Sequence, residues 1–347
     1  MGSRVSESTA EIAAEAVAGA GLSPEKLEEY RRELTGYCYR MLGSSFEADD
    51  AVQETMLRAW RAADGFEGRS SVRSWLYRIA TNICMDMLRG RQRRAMPMDL
   101  GPASPPVEAH LGDWQPAEMW VTPISDSRVI GSNGDPADIA IARDTVRLAF
   151  ITAMQHLPAR QRAALILCEV LKMPAAEAAT TLGTSVPSVN SALQRARATL
   201  AELPSGSEAR AVASAPASLG PADAGLLDRY VDAFQRYDMS ALMGLLHDDA
   251  VMSMPPYSMW VAGSSDITRF MQEPGPRACA GSILVPVPGG TVNGESAWAQ
   301  YKPSRTGGHR AWSLHLATAA GDRMSQLTFF LDAERVFPEF GLPLRLG

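Results

Sequence analysis

The chain has 347 residues, 46% of them hydrophobic, and 33 Lys and Arg against 39 Asp and Glu leave a formal net charge of −6. That length predicts two or three domains rather than one, and the acidic balance argues against indiscriminate nucleic-acid binding by the chain as a whole. No apolar stretch approaches the roughly 20 residues of a membrane span. Four scattered cysteines, Cys38, Cys84, Cys168 and Cys279, fit reduced cytoplasmic thiols better than a disulfide frame or zinc site.

Met1 to Pro24 is rich in Ala and Glu and lacks the basic start and apolar core of a secretory signal. Residues 1–25 are therefore expected to be a disordered lead-in. Leu27 to Arg94 is strongly helical in period, contains no proline and carries more basic than acidic groups. Within it, Ala48 to Trp60 is predicted to put Val52, Met56, Leu57 and Trp60 on one helix face. Asp49, Asp50, Gln53 and Glu54 fall on the other, and carboxylates this early also suit the helix dipole.

The next helix, from Ser71 to Arg89, has Trp75, Leu76, Ile79, Ile83, Met87 and Leu88 as its core stripe. Arg73, Arg78, Arg89, Arg91, Arg93 and Arg94 are left for phosphates, with Asn82 and Asp86 among them as groups able to touch bases. These two stretches resemble region two of the extracytoplasmic-function sigma factors (sigma-70 family, group IV). The resemblance lies in Asp50-Ala-Val-Gln-Glu-Thr-Met-Leu-Arg-Ala-Trp60 and Ser71-Val-Arg-Ser-Trp-Leu-Tyr-Arg-Ile-Ala-Thr-Asn-Ile-Cys-Met-Asp-Met-Leu-Arg89. It implies that Asp49, Asp50, Gln53 and Glu54 dock on the β′ clamp helices of RNA polymerase. It also implies that Arg73, Arg78, Asn82, Asp86, Arg89 and Arg93 face the −10 element, and that Phe66 to Ser71 resembles the family's base-capturing loop.

Residues 96–137 are rich in Pro, Gly and Ser and have one base, Arg128, against Asp99, Glu108, Asp113, Glu118, Asp126 and Asp135. They read as a flexible acidic linker. By position this linker resembles the segment that threads through polymerase, where negative charge mimics RNA; a plain tether is the alternative. Residues 138–203 turn helical again, with a short helix from Pro174 to Leu182, a Gly183-Thr184 turn and a longer helix from Ser185 to Leu200. That is a helix-turn-helix. Val189, Ala192, Leu193, Ala196 and Leu200 form its inner face. Ser188, Asn190, Ser191, Gln194, Arg195 and Arg197 form the outer one, suited to base edges and phosphates. The stretch resembles sigma region four, which reads the −35 element.

Residues 204–221 are a second, Ser/Ala/Pro-rich linker. From 222 to 347 the pattern changes to two helices followed by strands at Ala250 to Met254, Ser282 to Val287, Ser296 to Lys302, Ala311 to Ala319 and Arg323 to Leu331. An α+β domain with a curved antiparallel sheet is predicted. It resembles the SnoaL-like (NTF2-like) cone folds through Tyr230-Val-Asp-Ala-Phe-Gln-Arg-Tyr-Asp, Leu245-Leu-His-Asp-Asp-Ala-Val-Met-Ser-Met-Pro-Pro256, Trp260-Val-Ala-Gly, Phe329-Phe-Leu-Asp and Phe337-Pro-Glu-Phe-Gly-Leu-Pro343. Some relatives catalyse with a pocket Asp/His pair, so His247, Asp248, Asp249, His309 and His315 are candidates. His247-Asp248-Asp249 is expected at an exposed helix end. His315 shares a strand face with Ser313 and is a candidate pocket group, with a satisfied core or surface histidine as the commoner fate. Met254, Tyr257, Trp260, Trp298 and His315 would line the pocket.

The combined expectation is two all-α sigma domains followed by an α+β cone, cytoplasmic and without cofactor, metal, membrane contact or catalysis of its own. Its partners are core polymerase (β′ clamp helices and β flap) and promoter DNA. The last domain is expected to act on the sigma domains by intramolecular contact, with or without a small ligand. The alternatives are a ligand-controlled helix-turn-helix regulator and a SnoaL-type isomerase or cyclase fused to a DNA-binding module.

Overall fold

The computed structural model describes residues 23–66, 68, 70–107, 113–131, 135–203, 224–272 and 279–347. The lead-in up to residue 22, the second linker, and Glu67 and Arg69 of the loop Phe66 to Ser71 lie outside the described residues.

The first helical unit comprises α1 (Pro24–Glu28), α2 (Arg31–Leu42), α3 (Ser45–Arg61) and α4 (Val72–Leu88). Side-chain oxygens start three of them: Ser23 accepts from Lys26 N, Ser44 from Glu47 N and Ser71 from Ser74 N. Gly43 ends α2 at φ 70°, where an added Cβ would meet the Gln155 amide at 3.0 Å, so this cap takes only glycine. The inner face of α3 is Ala48, Ala51, Val52, Thr55 and Ala59. Such short side chains bring α3 close to the Tyr37, Cys38, Leu76, Ala80 and Ile83 core supplied by α2 and α4.

The acidic segment that follows is laid against the protein. Ala95 bridges Trp120, and Met96, Val121 and Ile124 are buried in the helical core, after which come α5 (Asp126–Val129) and α6 (Pro136–Asp144). The second helical unit adds α7 (Leu148–Gln155), α8 (Ala159–Leu165, continued by a π turn to Val170), α9 (Ala175–Thr181) and α10 (Val186–Ala201). Gly183 at φ 59° makes the turn between α9 and α10.

The last unit holds α11 (Ala224–Gln235), α12 (Met239–Leu245), β1 (Leu246–Ser253), β2 (Trp260–Ala262), α13 (Ser264–Gln272), β3 (Ile283–Val292), β4 (Glu295–Pro303), β5 (His309–Ala320), β6 (Arg323–Phe330), α14 (Ala333–Val336) and β7 (Arg345–Leu346). The strand order is β2-β1-β6-β5-β4-β3, with β7 paired to the start of β5. The expected antiparallel sheet is mixed, because β3 to β6 form a meander whose last strand returns beside β1 in the parallel sense.

Both faces of this sheet are covered. Trp298, Ala317, Leu327 and Phe329 close one face against Leu226, Tyr230 and Phe234 of α11. Ala297, Ala299, Tyr301, Leu314, Leu316 and Phe330 merge on the other with the core of the helical units. The sigma-like helices and the cone therefore share one apolar layer.

Candidate functional site

On α3 the exposed stripe is Asp50, Gln53, Leu57, Trp60 and Arg61, with Glu54 beside it in an ion pair to Arg58 at 2.6 Å. Two large apolar groups sit here: Leu57 is 39% and Trp60 59% exposed, whereas Val52 and Met56, expected on the same helix face, are buried and half-buried. The alanine-lined inner side of α3 explains this, since it fills the contact with α2 and α4 and leaves no room for a second apolar stripe. An exposed tryptophan one turn from an exposed leucine, on a helix whose other side is packed, is a pattern of partner surfaces rather than of solvated helices. The fourth residue of the predicted set, Asp49, lies at the edge of the stripe and is bound by Arg128 of α5. Arg128 also pairs with Glu339 at 2.9 Å, linking the first helical unit to the last domain.

On α4, Arg78, Asn82, Asp86 and Arg89 are exposed, the last two paired at 3.0 Å. Arg93 is exposed and touches the His156 ring at 2.5 Å. Two arginines differ from the sequence reading. Arg73 is half-buried, donates to Glu33 Oε1 at 2.6 Å and lies over the Tyr77 ring. Arg94 is not free for phosphate: it is buried, donates to the Ala117 and Trp120 carbonyls and pairs with Glu47 at 2.8 Å. Its neighbour Arg91 is held by the same Glu47. The acidic segment returning beside residue 95 supplies those carbonyls, which a helical reading of residues 71–94 alone does not contain.

On α10, Ser188, Asn190, Ser191, Gln194, Arg195 and Arg197 are all exposed and lie on one face, opposite buried Val189, Ala192, Ala196 and Leu200. Ser185 caps the helix as its sequence position predicts. Arg197 donates to Glu169 Oε1 at 2.8 Å but stays 63% exposed, so the pair is weak and open to a competing phosphate.

The two helical units are closed on each other. Arg162 of α8 donates to the Met41 carbonyl of α2, to Gln155 Oε1 at 2.8 Å and to the Leu157 carbonyl at 3.1 Å. Arg40 of α2 donates to the Thr145 carbonyl at 3.1 Å and its hydroxyl at 2.8 Å. Burial lowers both guanidinium pKa values to about 10, so both remain charged at neutral pH and are solvated by carbonyls in place of water. Ser74 of α4 meets Glu177 of α9.

The joint with the cone is built around the β3–β4 turn. Asn293, at φ 53° and fully buried, donates through Nδ2 to Tyr39 Oη at 2.7 Å and to the Val146 carbonyl at 2.6 Å. Its Oδ1 accepts from Ile124 N at 2.9 Å, and its own amide donates to the Ile124 carbonyl at 3.0 Å. Gly294 N donates to Asp126 Oδ1 at 2.8 Å. Beside it, Glu295 pairs with Arg147 at 2.6 Å, and burial pushes the Glu295 carboxyl up to about 7 against the pull of that arginine. The acidic segment also crosses the loop before β2: Ser104 N donates to the Trp260 carbonyl at 2.8 Å, Trp260 Nε1 to the Gly101 carbonyl at 2.9 Å and Gln115 N to the Pro256 carbonyl at 3.0 Å.

Of the predicted pocket residues, Trp298 and His315 meet inside the cone, with ring centroids 6.0 Å apart. His315 is fully buried, stacks on Phe329 and shares a 2.8 Å hydrogen bond between its Nε2 and Tyr230 Oη, a partner the sequence reading did not foresee. Burial lowers its pKa to about 3. Met254 and Tyr257 join the same apolar cluster, Tyr257 meeting Trp114 of the acidic segment edge-on, while Trp260 is tied to that segment by its indole. His247, Asp248 and Asp249 are exposed, as expected, yet they lie in β1 rather than at a helix end.

Residues 27–94 match the model of Sigma-70 region 2, residues 147–200 that of Sigma-70, region 4, and residues 224–285 that of the nuclear transport factor 2 (NTF2) domain. The ECF RNA polymerase sigma factor SigG of Mycobacterium tuberculosis (strain CDC 1551 / Oshkosh) is 43% identical over 318 residues, which is 91% of this chain and 82% of the relative. The ECF RNA polymerase sigma factor SigJ of the same species is 27% identical over 256 residues, 71% of each chain. The crystal structure of M. tuberculosis SigJ shares the fold, with a TM-score of 0.54 at 22% identity over 93% of this chain and 100% of that one. With two sigma regions in order ahead of an NTF2-like sheet, and with identity sustained across nearly the whole length, the chain belongs to the extracytoplasmic-function RNA polymerase sigma factors.

Proposed function

We propose that this sigma factor binds core RNA polymerase through the stripe of α3, using Asp50, Gln53, Glu54, Leu57 and Trp60, with Asp49 available once Arg128 lets go. Arg78, Asn82, Asp86, Arg89 and Arg93 then face the −10 element, and Ser188, Asn190, Ser191, Gln194, Arg195 and Arg197 the −35 element. Residues 26–95 and 138–203 are the two sigma domains, and 222–347 is the regulatory one. Work on polymerase and promoter belongs to the cytoplasm.

The observation that carries this reading is the exposed Trp60 and Leu57, on a stripe that runs back to Gln53 and Asp50 along a helix whose other side is fully packed. The closed contact between the helical units supports a controlled sigma factor, since α4 and α10 must reach two separated promoter elements. The cone domain holds that closed form through the Asn293 joint and does no catalysis. Supporting this, an imidazole titrating near 3 is a poor proton acceptor at neutral pH.

Reconstitution with purified core polymerase tests the reading. The wild-type chain should co-elute with core, and Trp60→Ala or Asp50→Arg should weaken the complex at least about tenfold with unchanged circular dichroism, as expected for a contact worth ~1.4 kcal/mol or more. No complex with the wild type, even after Asn293→Gly loosens the joint, would reject it.

A further inference from the structure

Between Glu295 and Asp322 the chain contains no acidic residue, yet Lys302, Arg305 and Arg310 fall within that stretch. Cross-strand pairing brings Arg345 to the same place. Lys302 on β4 stands opposite Arg310 on β5, and Arg310 stands opposite Arg345 on β7. Strand spacing of about 4.8 Å puts these three cations on neighbouring strands across roughly 10 Å, Arg310 and Arg345 exposed and Lys302 buried. Trp312 lies between two of them, with Lys302 Nζ 3.6 Å and the Arg310 guanidinium 5.4 Å from its ring centre.

Like charges directly opposite one another destabilise a sheet. Arg305, Arg310 and Arg345 are exposed, and among the described residues no carboxylate pairs with any of the three. In a chain of net charge −6, Arg310 and Arg345, exposed opposite each other at a cost in stability, are suited to an outside anion that offsets it. The exposure of the arginines, spread over a hairpin and the strand beside it, suits an extended polyanion better than a small molecule held in a pocket.

We propose that Arg305, Arg310 and Arg345 form a further phosphate-contact surface, carried by the regulatory domain and taking the backbone of duplex DNA. It rests on the reading of the chain as a promoter-binding sigma factor and adds a third patch to α4 and α10. Such a patch contributes affinity and salt dependence but no base preference.

The test is fluorescence anisotropy of a labelled promoter duplex with the reconstituted polymerase complex, across about 50 to 200 mM salt. Each phosphate contact contributes about 0.9 to the slope of log K against log salt. The triple variant Arg305→Gln/Arg310→Gln/Arg345→Gln should lower that slope by about 2 to 3 while base preference stays put. Arg305→Gln alone, at the hairpin tip, should lower it by about 1 and guards against a folding defect. A slope unchanged in both variants, with the wild type binding normally, overturns the surface. Wild-type failure to bind promoter at all would instead reject the sigma-factor reading beneath it. Quenching of tryptophan fluorescence by inorganic phosphate, lost in the triple variant but with an unchanged DNA slope, would make the row a small-anion site and also overturn the proposal.

Discussion

Replacing Asn293 should open the joint between the sigma helices and the cone. Its carboxamide satisfies Ile124 N and the Val146 carbonyl in a site with no solvent access, and it donates to Tyr39 Oη. Tyr39 keeps its own bond to the Thr122 carbonyl at 2.8 Å, so two backbone groups are orphaned. At about 1–3 kcal/mol for each buried unsatisfied group, the loss is about 2–6 kcal/mol. Asn293→Gly isolates that loss, because glycine accepts φ 53° freely. Asn293→Ala adds about 1–2 kcal/mol of left-handed backbone strain. Hydrogen exchange at the Gly294 amide reports the opening directly, since its bond to Asp126 spans the joint and survives in both variants. Exchange should quicken at least about 30-fold in Asn293→Gly, the equivalent of 2 kcal/mol, and further in Asn293→Ala. A change under about threefold in Asn293→Gly would refute the idea that this side chain pins the halves together.

Arg128→Ala frees Asp49 and cuts the tie to Glu339; core polymerase should bind about two- to tenfold more tightly, read by anisotropy of labelled protein. Glu295 has its folded pKa raised to about 7 from an ordinary 4.5, so its proton favours the docked state. That contribution is complete below about pH 4.5 and lost as pH rises through 7. Gly294 exchange, corrected for intrinsic rate, should therefore show a looser joint at about pH 8 than at about pH 6, and Glu295→Gln should flatten the trend. On α10, Gln194→Ala should relax base preference in a binding-site selection, whereas Arg197→Ala should weaken all sequences alike and reduce the salt slope by about 1. Tyr230→Phe leaves His315 Nε2 without its 2.8 Å partner and should cost about 1–3 kcal/mol in denaturant unfolding.

Much of the fold was legible because local rules and global packing agree. Ser71 and Ser185 mark helix starts that the structure keeps, and the apolar period of α10 separates its buried and exposed sides correctly. The misreadings share one cause. Periodicity puts Leu57 and Trp60 on one face with Val52 and Met56, but it cannot see that Ala48, Ala51 and Ala59 already make the close contact and leave those two exposed. Arg94 was counted as free because its partners, the Ala117 and Trp120 carbonyls, lie more than twenty residues away.

The strands carried a signal that a reading for strand position alone passes over. In β4, Ala297, Ala299 and Tyr301 alternate with Trp298 and Gln300, and all five are buried. A five-residue run free of charge on both sides implies cover on both sides. Here one cover is α11 and the other the sigma helices. The Asn293-Gly294 pair announces a tight hairpin turn, and at that level it looks like a surface feature.

From the sequence alone came the family, the order of its parts and the chemical identity of each recognition face, because those depend on residue type at short spacing along single helices. Only the tertiary structure decided which of those groups are available, what closes the two sigma units on each other and why the last domain is bound to them. Those properties arise where backbone carbonyls, buried amides and opposing strands meet across sequence distances of a hundred residues or more, as Asn293 does with Tyr39 and Val146. A spacing pattern holds no information about which distant polar group will complete a buried hydrogen bond, and the folded joint depends on those bonds.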